Sequence, residues 1–193
     1  MKTGIDKTWA RLRKWYEDHL PKDICRFEKG ASLQQIRKVE RHCGVTFPKE
    51  VEESYLVCNG LHRCGLSYFG YFNSLKEVVT RWDFYRGVDE EKGGFDWPRS
   101  FDADPHPAIK KVYWNRLRIP LTDNQDGNGV FLDLDPTKKG TVGQIIFLRR
   151  LEGPLTKLAD GLKSWLEQFL KDLKAGKYVC DAEAESLIPE DQW

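Results

Sequence analysis

The most regular hydrophobic pattern of the chain lies between residues 114 and 147. Around Ile119, apolar and polar side chains alternate with a period of two, which is typical of a β-strand. Two further apolar runs follow at 131–135 and 142–148, and the last is rich in β-branched residues and Phe. The pattern predicts three consecutive strands, a meander that needs helices to cover one of its faces.

Two clusters of turn-forming residues separate these predicted strands. Residues 123–129 read DNQDGNG and residues 135–140 read DPTKKG. Asp, Asn and Gly tolerate a positive φ and hydrogen-bond to nearby backbone. A calcium loop of the EF-hand type fits the first cluster poorly, because Thr122 and Asp133 would be its end ligands and its flanks are strands. The cluster is therefore predicted to be a turn between strands.

Apolar residues at three- and four-residue spacing predict helices on both sides of the meander. The first stripe begins at Ile5 and ends before Pro21. Ser32 and Ser74 each stand three residues before a Gln or Glu, which is the pattern of a capping box, and Gly44 follows the second stripe. The predicted helices span residues 5–20, 33–43, 48–58, 75–87 and 158–175, and a further strand is predicted at 66–72.

The remaining segments predict a single domain with one long loop and one tail. Residues 93–107 are rich in Gly, Pro, Asp and Ser, so 87–111 is expected to be a long loop or insertion within a domain spanning 1–177. Residues 178–193 carry five acidic side chains and no basic side chain, which predicts a loose, solvated acidic tail.

Composition narrows the class of protein. The 193 residues include 31 Lys and Arg against 30 Asp and Glu, so the chain lacks the basic excess that nucleic-acid binders usually carry. No apolar run approaches the length of a membrane span, and no secretory signal is recognised, which predicts a cytoplasmic protein. The five cysteines are irregularly spaced, so free thiols are expected, with Cys43 and Cys58 as packing residues.

The usual catalytic motifs are missing from the sequence. The chain has no P-loop, no G-x-G-x-x-G after a strand, no H-E-x-x-H and no G-x-S-x-G. The histidines and cysteines match no standard metal-ligand spacing. The sequence therefore predicts a non-enzymatic binding module that uses no cofactor and no metal.

Six short motifs follow one another along the chain. They are Phe47-Pro48-Lys49-Glu50-Val51, Cys58-Asn59-Gly60, Ser74-Leu75-Lys76-Glu77-Val78, Arg118 to Asp123, Gly127 to Pro136, and Ser164 to Leu170. In this order and spacing they resemble the motifs of the SMI1/KNR4 family, also called the SUKH superfamily, and the similarity covers about residues 5 to 175. The resemblance implies an α+β fold in which helices pack on a curved, mainly antiparallel sheet.

The resemblance also implies a function in protein binding. Many bacterial members resemble immunity proteins that neutralise a toxin, often a nuclease, whereas fungal members act as regulators or scaffolds in cell-wall synthesis. The first hypothesis is an immunity protein with a cognate toxin as its partner. The alternative is a regulatory scaffold that binds a cellular protein, although the long polar extensions that would favour it are missing.

A partner-binding face is predicted around the turn at 123–129. The turn should present polar side chains outward, the aromatic segment at 66–72 alternates across its strand, and the long loop can vary without disturbing the core. No direct contact with nucleic acid or membrane is expected. The predicted binding residues are Asp123, Asp126, Asn128, Trp97, Tyr68 and Tyr71.

Overall fold

The computed structural model describes residues 4–21, 25–63, 65–66, 69–92, 104–150, 152–181 and 186–190. The helices in these ranges are α1 (Gly4–His19), α2 (Leu33–Cys43), α3 (Lys49–Val57), α4 (Leu75–Lys92) and α5 (Leu162–Lys174). The strands are β1 (Cys25–Lys29), β2 (Cys58–Arg63), β3 (Tyr71–Phe72), β4 (Arg118–Pro120), β5 (Thr122–Asp123), β6 (Gly129–Asp133), β7 (Gln144–Arg149), β8 (Gly153–Ala159), β9 (Tyr178–Asp181) and β10 (Ser186–Pro189).

The strands pair antiparallel in three sheets. The N-terminal sheet has the order β1-β2-β3-β5, the C-terminal sheet has the order β4-β6-β7-β8, and β9 pairs with β10. The predicted meander is confirmed as β4, β6 and β7, in which Leu132 lies opposite Ile119 on one side and Ile145 on the other. The α+β prediction is confirmed.

One short stretch of chain joins the two larger sheets. Strand β4 ends at Pro120 and β5 begins at Thr122, so the chain leaves one sheet and enters the other across the buried Leu121. The Thr122 hydroxyl donates to the Phe69 carbonyl at 2.5 Å and accepts from the Val130 amide at 2.9 Å. Because one hydroxyl of β5 bonds both the segment before β3 and strand β6, it links the N-terminal sheet to the C-terminal sheet at this point.

The first helix packs its apolar stripe into the core as predicted. Ile5, Trp9, Leu12 and Tyr16 are buried at helical spacing. The Trp9 indole donates to the Ser54 hydroxyl of α3 at 2.8 Å, so its polar atom is satisfied where its ring is buried. The periodicity of this segment therefore predicted both the element and its buried face.

The predicted helix caps are present. Ser32 and Gln35 form a capping box at the start of α2, and Gly44 ends that helix with a φ of 69°. Ser74 accepts from the Glu77 amide while the Glu77 carboxylate accepts from the Ser74 amide, which makes the second capping box, at α4. These short motifs act locally, and this is why the sequence alone revealed them.

A buried ion pair holds the segment before β4 against the C-terminal sheet. Arg118 Nε lies 3.9 Å from Asp133 Oδ1, and both side chains are fully buried. The guanidinium donates to the carbonyls of Lys110, Val112 and Tyr113. Burial lowers the pKa of Arg118, while the Asp133 charge opposes that shift. The pair thus anchors the connection that enters the sheet.

Two predicted helix boundaries were wrong. Helix α4 passes through Gly87 and continues to Lys92, so the first residues of the loop expected at 87–111 are helical. A glycine inside a helix costs only about 1 kcal/mol, which the neighbouring helical residues offset. The last helix starts at Leu162 rather than 158, because residues 153–159 form the edge strand β8. Gly153, at a φ of 78°, turns the chain into this strand instead of interrupting the structure.

Two strand boundaries also differ from the prediction. Among the described residues of the strand expected at 66–72, only Tyr71 and Phe72 are in a strand. Gly70 has a φ of 91°, and its carbonyl accepts from the Leu66 amide. The third helix ends at Val57, and Cys58, which was expected on its inner face, begins β2.

The C-terminal segment and one cysteine depart from expectation. In the described part of residues 178–193, β9 and β10 pair antiparallel and Leu187 is buried, so the prediction of a loose tail was wrong for these residues. Cys25 is disulfide-bonded, which corrects the expectation of free thiols at that position. Cys43 and Cys58 are free and buried, and burial raises their pKa values to about 12 and about 11.

Candidate functional site

A polar cleft of about 470 Å³ opens beside the N-terminal sheet. Strands β1, β2 and β3 form one side, the first turns of α4 form the other, and the turn after β5 closes one end. Both charge signs are present, together with one aromatic ring and several amide and hydroxyl groups. The polar cleft is lined by Glu28, His62, Tyr71, Asn73, Ser74, Lys76, Glu77, Thr80, Arg81 and Gln125.

His62 lies between two carboxylates of the polar cleft. Its Nε2 atom is 3.3 Å from Glu28 Oε1 on β1, and its Nδ1 atom is 3.8 Å from Glu77 Oε1 on α4. The three side chains are each about a quarter to two fifths exposed. The imidazole is therefore oriented by charged groups on both edges and still reaches solvent.

The Asn59-Gly60 pair sets the distance between the two walls of the cleft. The Asn59 side-chain carbonyl accepts from the Leu75 amide at 3.1 Å, which pins the start of α4 to β2. Gly60 has a φ of 147°, and a Cβ there would lie 3.1 Å from the His62 Nε2 atom and 3.4 Å from the Ser74 amide nitrogen. A larger residue would push apart the groups that form the cleft, so this motif has a structural reason.

The turn at 123–129 is organised by Asn124. Its side-chain carbonyl accepts from the amides of Asp126 and Asn128, both at 3.0 Å, as Asx residues do in turns. Gln125 has a φ of 66°, and it is the one non-glycine residue at positive φ in the described ranges. The turn thus directs Gln125 into the polar cleft in a backbone conformation that non-glycine residues seldom adopt.

The structure brings together part of the predicted binding face. Tyr71 pairs with Asp123 across β3 and β5, and Tyr71 also lines the polar cleft. Asp126 is exposed at the tip of the adjacent turn, whereas Asn128 is half-buried and its side-chain carbonyl accepts from the Arg150 amide at 2.9 Å. Asn128 therefore ties the turn to the end of β7. Tyr68 and Trp97, the other two predicted residues, lie outside the described residues.

Sequence inspection missed the charged centre of the cleft. Glu28, His62 and Glu77 come from three elements that are distant along the chain, and only the sheet pairing of β1 with β2 brings the first two together. Glu77 was recognised as part of a capping box, and its second role toward His62 has no separate sequence pattern. The Asn59-Gly60 pair, which is followed by the polar residues His62 and Arg63 on the same strand, was the sequence feature that could have indicated this site.

The described residues show no metal centre and no membrane span. Within them, no group of three or more His, Cys, Asp and Glu side chains is placed to hold a metal ion. Likewise, none of their helices combines the length and apolar character needed to cross a bilayer.

The sequence matches the model of one protein family. The match is to the SMI1 / KNR4 family (SUKH-1) and covers residues 30–168, which is most of the chain. This range contains every residue of the polar cleft except Glu28.

Curated fungal proteins align with nearly the whole chain. A glucan synthesis regulatory protein of Neurospora crassa is 23% identical over 95% of the chain and 41% of its own length. The cell wall biosynthesis/cell cycle regulator smi1 of Schizosaccharomyces pombe is 23% identical over 98% of the chain and 41% of its own length. The cell wall assembly regulator SMI1 of Saccharomyces cerevisiae is 24% identical over 91% of the chain and 42% of its own length. The chain thus spans about two fifths of these relatives.

These relatives correct the first functional hypothesis. The hypothesis of an immunity protein that neutralises a toxin is wrong, because the proteins that align with the chain are named as regulators of glucan synthesis and cell-wall assembly. Immunity proteins and regulators share a fold, so the motifs of that fold could not distinguish them. The family itself is established by the model match over residues 30–168, and this chain belongs to the SMI1/KNR4 family (SUKH-1).

Proposed function

We propose that this chain is a regulatory protein-binding domain that acts in the control of cell-wall synthesis. The observation that carries the proposal is its alignment, over at least 91% of its length, with fungal proteins named as regulators of glucan synthesis or cell-wall assembly. Binding rather than catalysis is the proposed mode of action, and a cellular protein is the proposed partner.

We further propose that the partner docks on the cleft face, defined as the polar cleft together with the turn at 123–129. This face combines a half-buried aromatic ring, Tyr71, with charged groups of both signs at its rim. Protein interfaces favour an aromatic anchor surrounded by polar groups, and charge patterns select the partner. We propose Asp123, which pairs with Tyr71 across β3 and β5, and the exposed Asp126 for the same face, together with Trp97 and Tyr68.

The local geometry supports recognition on this face. His62 is held between Glu28 and Glu77, and the turn holds the backbone of Gln125 at a positive φ, so the imidazole and the turn backbone are ordered before a partner arrives. Ordering in advance reduces the entropy lost on binding. A cleft with this mixed charge suits a polar protein segment better than a purely apolar one.

A chimera tests the proposed function. In the Saccharomyces cerevisiae regulator, the segment that aligns with this chain is replaced by the chain itself, and the chimera is expressed in a strain that lacks the regulator. We expect growth in the presence of a wall-digesting glucanase to recover toward that of the parent strain. A version with the segment deleted serves as the negative control.

The outcome that contradicts the proposal is equally specific. A chimera that accumulates to normal levels, unfolds cooperatively when purified, and still leaves the strain as sensitive as the deletion control would show that the chain does not supply this regulatory function.

A further inference from the structure

A second concave surface of the protein shares no residue with the polar cleft. It has a volume of about 550 Å³ and lies between the C-terminal half of α1 and the end of α5. We call it the basic groove. It is lined by Arg11, Lys14, Trp15, Asp18, His19, Leu20, Leu173, Lys174, Gly176 and Tyr178.

One face of α1 forms a wall of the basic groove. The five lining residues from Arg11 to His19 follow steps of three and one, so they share a stripe beside the buried stripe of the same helix. From Arg11 to His19 the helix rises by about 12 Å. This length matches about four residues of an extended peptide.

The floor of the basic groove is aromatic and apolar. Trp15 and His19 stack with ring centroids 4.5 Å apart and an interplanar angle of 7°, and His19 Nδ1 lies 2.8 Å from the Trp15 carbonyl oxygen. Leu173 is buried beneath them, and Tyr178 packs its ring on Phe169 at 5.3 Å. These contacts keep the aromatic surface in place without a partner.

The rim of the basic groove carries a local excess of positive charge. Lys14 is paired with Asp18 at 3.0 Å, while Arg11 and Lys174 are exposed and have no ionic partner among the described residues. The whole chain has a net charge of only +1, so two unpaired cations at one groove give this surface more positive charge than the chain has on average. Lys174 is stabilised by the negative C-terminal end of the α5 dipole, but Arg11 lies in mid-helix, where the dipole does not explain a cation.

We propose that the basic groove binds an acidic peptide segment of another protein, about four residues long and with one aromatic or apolar anchor. Charge complementarity selects the acidic residues, and the Trp15 and Leu173 floor receives the anchor. An open groove with an exposed lysine on its rim would leave too much of a small ligand in water, because small-molecule sites enclose most of their ligand.

The experiment measures fluorescence anisotropy with the full chain. The probe is a short fluorescein-labelled peptide in which Glu residues flank a central Phe; one control peptide has Lys in place of Glu, and another has Ser in place of Phe. We expect the acidic probe to bind with a Kd below about 1 mM and to bind more weakly as salt is added. Both control peptides should bind at least several-fold more weakly.

Charge reversal locates the binding. The variant Arg11→Glu/Lys174→Glu should raise the Kd of the acidic probe by about tenfold or more. The matched control Lys38→Glu/Arg41→Glu changes the net charge equally at exposed positions on α2 and should leave affinity within about twofold. The neutral variant Arg11→Gln/Lys174→Gln makes the same test with a smaller change if the reversal lowers the melting temperature.

Four results would overturn the proposal. These are no binding of the acidic probe, equal binding of the Lys peptide, equal loss in the groove and control variants, or self-association of the chain that the groove variant abolishes, which would assign the groove to a second copy. Each of them leaves the proposal for the cleft face untouched, since the two surfaces share no residue.

Discussion

The C-terminal sheet buries nearly every residue of its central strands, whereas the N-terminal sheet leaves much of its surface half-exposed. All five residues of β6 and the first five of β7 are buried. Strand β1, in contrast, has no fully buried residue, and β3 contributes only two residues. The central strands β6 and β7 pair over five residues without a register shift, whereas β1 and β2 pair with a shift at Phe27/Lys29. At the edge of the C-terminal sheet, the pairing of β7 with β8 is shifted as well.

The difference separates a scaffold from a surface that is available for binding. The central strands of the C-terminal sheet are buried, so their polar side chains must find partners within the protein, as the two terminal nitrogens of Arg118 do in backbone carbonyls. A short, partly covered sheet can direct polar side chains such as His62 into a cleft. Substitutions in the two regions should therefore affect different quantities.

The largest effect is expected from Asp133→Asn in the C-terminal sheet. This change removes the larger of the two carboxylate contributions, from Asp133 and Asp135, that favour the charged form of the buried Arg118, and loss of one partner of a buried pair costs about 3–5 kcal/mol. Urea denaturation measures the free energy of unfolding. The matched change Asp126→Asn, at the exposed turn of the cleft face, should alter it by less than about 0.5 kcal/mol. Equal losses in the free energy of unfolding of the two variants would contradict the distinction between the C-terminal sheet as scaffold and the cleft face as binding surface.

A smaller loss is expected where α3 caps α5. The Glu50 carboxylate accepts from the Leu162 amide at 2.5 Å, because the N-cap residue Gly161 has no side chain to do so. Glu50→Ala should cost about 1–2 kcal/mol, as loss of a helix cap does. Gly161→Ala should have a similar cost, since its Cβ would lie 2.3 Å from Glu50 Oε1 and displace the carboxylate.

The double variant Glu50→Ala/Gly161→Ala tests this coupling. Because both changes remove the same cap, the double loss in thermal and urea unfolding should be smaller than the sum of the single losses. Strict additivity would show that Glu50 does not cap α5 in solution.

The smallest effect, with the opposite sign, is expected at the cleft turn. Gln125→Gly removes a non-glycine side chain from a φ of 66° and should raise the free energy of unfolding by up to about 1 kcal/mol. Gln34→Gly, at an exposed position of α2, should lower it by about 1 kcal/mol. If both changes destabilise equally, the turn is not held in a strained conformation.

Local patterns predicted much of the scaffold. The stripe of α1, the capping boxes at Ser32 and Ser74 and the strands around Ile119 depend on residues that are close in sequence, so periodicity and cap chemistry revealed them. Boundaries such as the passage of α4 through Gly87 depend on neighbouring turns and tertiary contacts, which override a local propensity.

The cleft could be predicted only in part. The turn and Tyr71 were found because Asx-Gly clusters and aromatic strands have visible patterns. The position of His62 between Glu28 and Glu77 was missed, because it depends on the pairing of β1 with β2 and on the docking of α4. The role as immunity protein was wrong because the fold motifs, including Asn59 and Glu50, maintain structure and carry no information about the partner.

The most direct test compares partner capture by three forms of the chain. The unaltered chain, the face variant Tyr71→Ala/Asp126→Ala and the scaffold-side control Lys139→Ala/Val142→Ala are immobilised and exposed to an extract of the cells that express the chain. All four altered residues are exposed or half-buried, so the free energy of unfolding should change by less than about 1 kcal/mol.

Quantitative mass spectrometry then measures each captured protein, and isothermal titration with the purified partner gives its Kd. We predict that the control variant binds the partner with unchanged affinity, whereas the face variant binds it more weakly by about 2 kcal/mol, which is close to thirtyfold in Kd. Equal affinity of the partner for the face variant and the unaltered chain, with both fully folded, would contradict the assignment of the cleft face as the binding surface.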